Sequence, residues 1–178
     1  MKILVPLDGS ARSEAILPHA EVVARGLHAE VHLMTVVHPP RREGKGRRLV
    51  VDAQYPTAFA GTLGVSTPTV VHGRVQEVPI ETREQAIARL EHEADEYLLS
   101  IEKRFQGLKV VRHVRMAEDP VEPILEYARE IQADMLALST HGRTGLAAVV
   151  QGSVAGALIR SRIAPVLVYR PADLKDQD

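Results

Sequence analysis

Short apolar runs rich in β-branched residues alternate along the chain with stretches whose apolar positions recur every three or four residues. That alternation predicts an α/β fold on a parallel sheet. Lys2–Leu7 contains the continuous block Ile3-Leu4-Val5, as a strand buried on both faces requires. Asp8-Gly9-Ser10 then turns the chain, and Ser10 is placed to cap a helix over Ala11–Arg25. Its apolar positions Ala15, Ile16, Ala20, Val23 and Ala24 fall on one face, and Gly26 supplies a stop. A second strand follows at Glu30–Val37.

From His38 to Pro79 neither period persists. The stretch holds His38-Pro39-Pro40, a basic run at Arg41–Arg48, and then Gly61, Gly64, Pro68 and Gly73. An irregular segment of about 40 residues is uncommon inside a compact domain and points to a lid or a partner surface. The helical period returns over Ile80–Phe105, where Ile87, Leu90, Ala94, Tyr97, Ile101 and Phe105 recur at steps of three and four, and Gly107 closes it. A third strand is expected at Leu108–Arg115. Asp119-Pro120-Val121-Glu122 starts a helix that runs to Gln132, with Asp as cap and Pro at the first position. Met135–Leu138 reads as strand four, Ser153–Arg162 as a helix, and Val166–Tyr169 as strand five. Pro165 stands just before that strand, where a missing amide is tolerated.

Composition narrows the chemistry. The 178 residues suit one domain, with the 38–79 stretch as an insertion, and their charges nearly cancel to −1. That balance argues against a protein that grips nucleic acid by bulk electrostatics. Cysteine is absent, which removes disulfides, thiolate chemistry and cysteine-ligated metals. Rings are scarce and scattered, with no Trp, 4 Tyr and 2 Phe, so no stacking platform for single strands is encoded. The first apolar run, Met1–Leu7, is too short for a signal-peptide core, and no run approaches the roughly 20 residues of a membrane span. A soluble, cytoplasmic protein is expected.

The informative stretch is Ser139-Thr140-His141-Gly142-Arg143-Thr144-Gly145, continuing to Gly152-Ser153-Val154. It leaves the carboxyl end of a buried strand and ends at a helix start. Small residues there let backbone amides approach an anion, and a helix N-terminus adds free N–H groups and a favourable dipole. The same composition also suits an ordinary glycine-rich loop. Ligands in open parallel sheets sit beyond the carboxyl ends of strands, where the strand order reverses. Asp8 lies at such an end, so strands one and four, if adjacent, flank one crevice. There Asp8 can accept hydrogen bonds from ribose hydroxyls or an adenine amino group, or serve as a turn residue, or both. His141 sits inside the loop as a phosphate contact or a backbone-bonded loop residue. Arg143 is the better placed mobile phosphate contact.

These residues resemble the universal stress proteins. That family has an N-terminal V-P-x-D-x-S segment, matched by Val5-Pro6-Leu7-Asp8-Gly9-Ser10. Its nucleotide-binding members carry G-x-x-G, nine residues, then G-S or G-T, and Gly142 precedes Gly152-Ser153 by nine intervening residues. Ser153–Arg160 and Pro165–Val168 are similar to the family's ending. The resemblance implies a three-layer, Rossmann-like α/β/α sandwich around a five-stranded parallel sheet of order 3-2-1-4-5. It implies an ATP site, with Mg²⁺ or Mn²⁺ accompanying the nucleotide, in which Pro6, Leu7, Asp8 and Val36 meet adenine and ribose. Leu138 precedes the phosphate loop, and Gly142, Gly152, Ser153 and Val154 contact phosphate. It also implies a homodimer through Val166–Tyr169.

Two positions depart from the family pattern: Ser139 stands for the first glycine of G-x-x-G, and Glu118 stands for a glycine before Asp-Pro. A carboxylate near phosphates repels them unless it points outward or reaches a metal. His28 and His32 do not share the helical face a metal pair needs, and His92-Glu93 lacks a second His. No Walker lysine follows the glycines, and no G-x-G-x-x-G or nucleophile elbow is present. With neither a catalytic base nor a metal carboxylate pair assigned, the expectation is a non-enzymatic ATP-binding stress or signalling protein acting through occupancy. The alternatives are a nucleotide-free interaction module and a weak ATPase using Asp8 or His141.

Overall fold

The apolar alternation of the first strand decides how the layers assemble. In the computed structural model, which describes residues 1–40, 48–51, 75–78, 82–140 and 154–171, β1 (Lys2–Leu7) sends Ile3 and Val5 to one side and Leu4 to the other. All three are fully buried. The chain divides into two compact units, residues 1–40 with 87–178, and residues 41–86.

The first unit is built on a five-stranded parallel sheet. In chain order its strands are β1, β2 (Glu30–Val37), β5 (Val110–Met116), β6 (Met135–Ser139) and β7 (Val166–Tyr169). They lie side by side as β5-β2-β1-β6-β7. Counted within this sheet, that is 3-2-1-4-5, the expected order. Helices α2 (Leu17–Leu27) and α3 (Arg83–Glu102) supply Leu17, Ala20, Ala24, Leu98 and Ile101 to one apolar layer against Ile3, Val5, Val31 and Leu33. Helices α4 (Val121–Glu130) and α5 (Val154–Ser161) cover the other face with Ile124, Leu125, Ala128 and Leu158 against Leu4, Met34, Leu136 and Leu138. Three layers result.

Local chemistry moves several boundaries. The helix expected over Ala11–Arg25 is two pieces, α1 (Ala11–Glu14) and α2. Pro18 lacks an N–H and its ring crowds the carbonyl four residues back, on Glu14, so the helix restarts with proline in its first turn. Ser10 caps α1 as expected, accepting the Ser13 N–H. Gly26 does not stop α2: His28 does, with φ of 51°, in the left-handed conformation of a C-terminal cap. Helix α3 starts at Arg83 because Thr82 and Gln85 cap each other, Thr82 Oγ1 accepting the Gln85 N–H at 3.2 Å and Gln85 Oε1 accepting the Thr82 N–H at 2.8 Å. Asp119 accepts the Val121 N–H at 3.0 Å, one step outside the expected cap, since α4 begins at Val121.

In the second unit, β3 (Arg48–Val51) and β4 (Val75–Val78) pair antiparallel, Arg48 with Val78 and Val51 with Val75. This ladder falls within the stretch where no period was legible. Arg41–Arg47, and with them most of the basic run, lie outside the described residues.

Candidate functional site

Strand β1 pairs with β6 through Ile3↔Met135 and Leu4↔Leu136. The next residues on each strand continue past that paired stretch to the carboxyl edge of the sheet. Here the order reverses, because β1 leads to β2 on one side while β6 lies on the other. A cleft of about 350 Å³ opens at that point. Its volume is at the lower end of small-molecule sites, on the order of 300–1,000 Å³.

Strand β1 contributes Pro6 and Leu7, the turn after it contributes Asp8, and α1 contributes Ser13. Strand β6 contributes Leu138, Ser139 and then Thr140, while α4 contributes Ile124 with Pro120 just before it, and α5 contributes Val154, Ala155 and Leu158. The walls are mostly aliphatic, a surface that favours apolar groups through dispersion and desolvation.

Polar groups cluster at the β1 rim. Gly9 has φ of 80°, a conformation L side chains rarely adopt, and this bends the chain sharply after Asp8. Asp8 Oδ1 accepts both the backbone N–H of Ser10 at 2.9 Å and its hydroxyl at 2.6 Å. Ser13 Oγ donates to the Ser10 carbonyl at 2.9 Å and accepts the Asp8 N–H at 3.3 Å. Asp8 is therefore an exposed but oriented carboxylate, serving the turn and facing the cleft at once.

The β6 rim carries a different group. Ser139 Oγ is buried and has no hydrogen-bond partner among the described residues. An unsatisfied buried hydroxyl costs about 1–3 kcal/mol, so a ligand atom able to pair with it gains that much. Thr140 is buried beside it, its N–H donating to the Tyr169 carbonyl at 3.0 Å and tying the start of the loop to β7.

Of the sequence candidates, Pro6, Leu7, Asp8, Leu138, Ser139 and Val154 meet in this cleft. Val36 does not line it. It lies on β2, beyond β1 from β6, and packs partly buried against the layer of Leu4, Met34 and Leu138. His141, Gly142, Arg143, Gly152 and Ser153 lie outside the described residues. Glu118 is exposed and is not among the residues lining the cleft. Sequence reasoning missed Ser13, Pro120, Ile124, Thr140, Ala155 and Leu158. Only Thr140 had a local signal, its place at the head of the glycine-bearing loop.

The family model described as the Universal stress protein family matches residues 1–57 and 63–170. The chain belongs to the universal stress protein family. Among its relatives, a universal stress protein of Methanocaldococcus jannaschii is 29% identical over 171 residues, covering 95% of this chain and 81% of that one. The fold is similar to a universal stress protein solved in complex with cAMP, with TM-score 0.58, 16% identity and 96% of each chain covered. It is also similar to a universal stress protein from Archaeoglobus fulgidus solved in complex with dAMP, with TM-score 0.53, 18% identity, and 94% of this chain and 96% of that one covered.

Proposed function

We propose that this universal stress protein binds ATP in the cleft between β1 and β6 and acts through nucleotide occupancy, as a homodimer in the cytoplasm, without turnover. The observation that carries the proposal is the cleft itself. Aliphatic walls from Pro6, Leu138 and Ile124 suit an adenine ring, with the Asp8 carboxylate at one rim for ribose hydroxyls and the unpartnered Ser139 hydroxyl at the other. Phosphates then extend toward the residues that follow Thr140, with His141, Gly142, Arg143, Gly152, Ser153 and Val154 as the proposed contacts. Two relatives of the same fold were solved with adenine nucleotides, which supports the ligand class.

Among the described residues no group of three or more His, Asp or Glu side chains is arranged to hold a metal ion. Mg²⁺ or Mn²⁺ in this proposal arrives with the nucleotide, as the counterion of its phosphates. Strand β7 ends the sheet, and Val168 on it is 37% exposed, which suits pairing with a second copy along that edge. The 38–79 stretch is proposed as an insertion within one domain. No helix among the described residues is long and apolar enough to cross a membrane.

Titration calorimetry with ATP and Mg²⁺ tests the proposal, together with mass spectrometry of nucleotide carried through purification of the native protein. Saturable binding lost in Gly152→Glu is the expected result. No heat at millimolar ATP and no co-purified nucleotide sinks it.

A further inference from the structure

The sheet face beneath α4 buries three rings that the cleft does not use. Tyr127 on α4 is 5% exposed and His32 on β2 is 5% exposed, while His113 on β5 is partly buried. The His113 ring lies flat on Tyr127, with centroids 3.9 Å apart and planes 3° from parallel. His32 Nδ1 is 3.0 Å from the Tyr127 hydroxyl. Tyr127 is thus gripped by an imidazole from each of two adjacent strands.

The two imidazoles differ in what they can do with a second proton. His32 Nε2 is 3.2 Å from Glu30 Oε1, so a carboxylate stands ready to meet a cation there. That carboxylate is shared, since Lys109 Nζ approaches Glu30 Oε2 at 2.9 Å and Lys2 also faces the pair. His113 Nε2 is buried with no hydrogen-bond partner among the described residues. A neutral ring leaves a bare lone pair at that nitrogen, which is tolerable. A protonated ring must carry N–H on both nitrogens, and the one on Nε2 is then a buried donor with no acceptor among the described residues. The charged groups facing His113 are Arg115 on its own strand, Glu130 on α4 and His32 on β2. Glu130 is 3.4 Å from Arg115 and is already engaged. Burial first, then Arg115, holds the His113 imidazole below its ordinary range, with Glu130 opposing.

We infer that His113 and Tyr127 form an acid-released latch that fastens α4 to the sheet. Neutral His113 stacks on Tyr127 and closes the layer. Protonated His113 gains hydration when Tyr127 and its helix move away. Helix α4 carries Ile124, and Pro120 precedes it, so release of the helix loosens one wall of the cleft. That consequence for ligand affinity rests on the nucleotide proposal above. The latch does not.

Backbone hydrogen exchange on the full-length protein, read as protection factors that remove the intrinsic pH dependence of exchange, tests the latch from about pH 7.5 to about pH 5.5. One proton taken up on release lowers protection of α4 peptides by up to about tenfold per pH unit, while β1 peptides stay protected. His113→Phe keeps a stacking ring without a titrating nitrogen, and its α4 protection is expected to fall less steeply with pH than that of the wild type, the slope that is left belonging to His32, which also meets Tyr127. Should that variant fold poorly, the His113 imidazole resonances of the wild-type protein give the second readout: a midpoint displaced below the ordinary histidine value, shared with the α4 change. Equal loss of α4 protection in wild type and His113→Phe overturns the latch, as does ordinary titration of His113 with α4 unmoved. ATP titration at about pH 7.5 on the same samples separates the two proposals. Absent binding there with a pH-responsive α4 overturns the nucleotide reading alone.

Discussion

Ser10 donates twice to one oxygen of Asp8, through its backbone N–H at 2.9 Å and its hydroxyl at 2.6 Å. The carboxylate is oriented before any ligand arrives. Asp8→Asn keeps an acceptor oxygen for this turn but loses the charge that strengthens bonds to ribose hydroxyls. Its stability is expected to match wild type while ATP affinity falls about tenfold, since a hydrogen bond to a charged group contributes roughly 1.5–3 kcal/mol. Thermal unfolding and calorimetry on the same preparation check both halves.

Removing the other partner has the opposite signature. Ser10 Oγ accepts the Ser13 N–H at 3.1 Å as the cap of α1, so Ser10→Ala loses the cap along with the hydroxyl bond to Asp8. A destabilisation of about 1 kcal/mol is expected from urea denaturation. A midpoint equal to wild type means the turn holds without its cap.

Leu158 and Val36 separate the walls of the cleft from its surroundings. Leu158 is fully buried and lines the cleft from α5. Leu158→Ala is expected to cost about 2–5 kcal/mol of stability and to weaken ATP binding by widening the site. Val36→Ala, on the far side of β1, leaves affinity within about twofold, as expected for a residue outside the contact set. A large affinity loss in Val36→Ala places β2 in the site after all.

A lysine on the β7 edge tests the oligomer. Val168→Lys puts a charge where a second β7 would pair, and sedimentation velocity is expected to show a dimer turned monomer. A wild-type protein that sediments as a monomer defeats the dimer proposal outright.

Stability should fall in two acid steps. Burial lowers the affinity of His32 and His113 for protons, so the unfolded chain takes them up first as pH drops. Their contribution is complete above the ordinary histidine value of 6.5 and is lost as pH falls below it. The Glu30 carboxylate, held low chiefly by its hydrogen bond from Lys109, contributes above its ordinary value of 4.5 and ceases to below it. Melting temperatures recorded from about pH 8 to about pH 4 report both steps, and a flat profile across the histidine range contradicts the first.

The local pattern identified most of the elements. Alternation of Ile3, Leu4 and Val5 marked a strand covered on both faces, and the Asp8-Gly9-Ser10 turn identified both a cap and one rim of the cleft. Where local reasoning slipped, a second local rule had been overlooked. Pro18 divided the first helix, and a left-handed His28 rather than Gly26 ended it. The β3–β4 ladder escaped because each strand has four residues, too few for a period to show.

The chain by itself determined which residues want to be buried, which turns are possible, and that the ends of two strands carry the polar groups of a site. Those are short-range properties of side-chain shape and backbone preference. Only the tertiary structure decided which distant residues share a wall. Pro120 and Ile124 join Pro6 and Leu138 because α4 packs on the sheet face that carries Leu4, Met34 and Leu138. Val36, on β2, is not among the residues that line the cleft. His113 and His32 both meet Tyr127, because parallel β5 is set beside β2 in the register that pairs Met34 with His113. Such neighbours follow from burying two apolar faces at once, a condition on the whole chain that no local window contains.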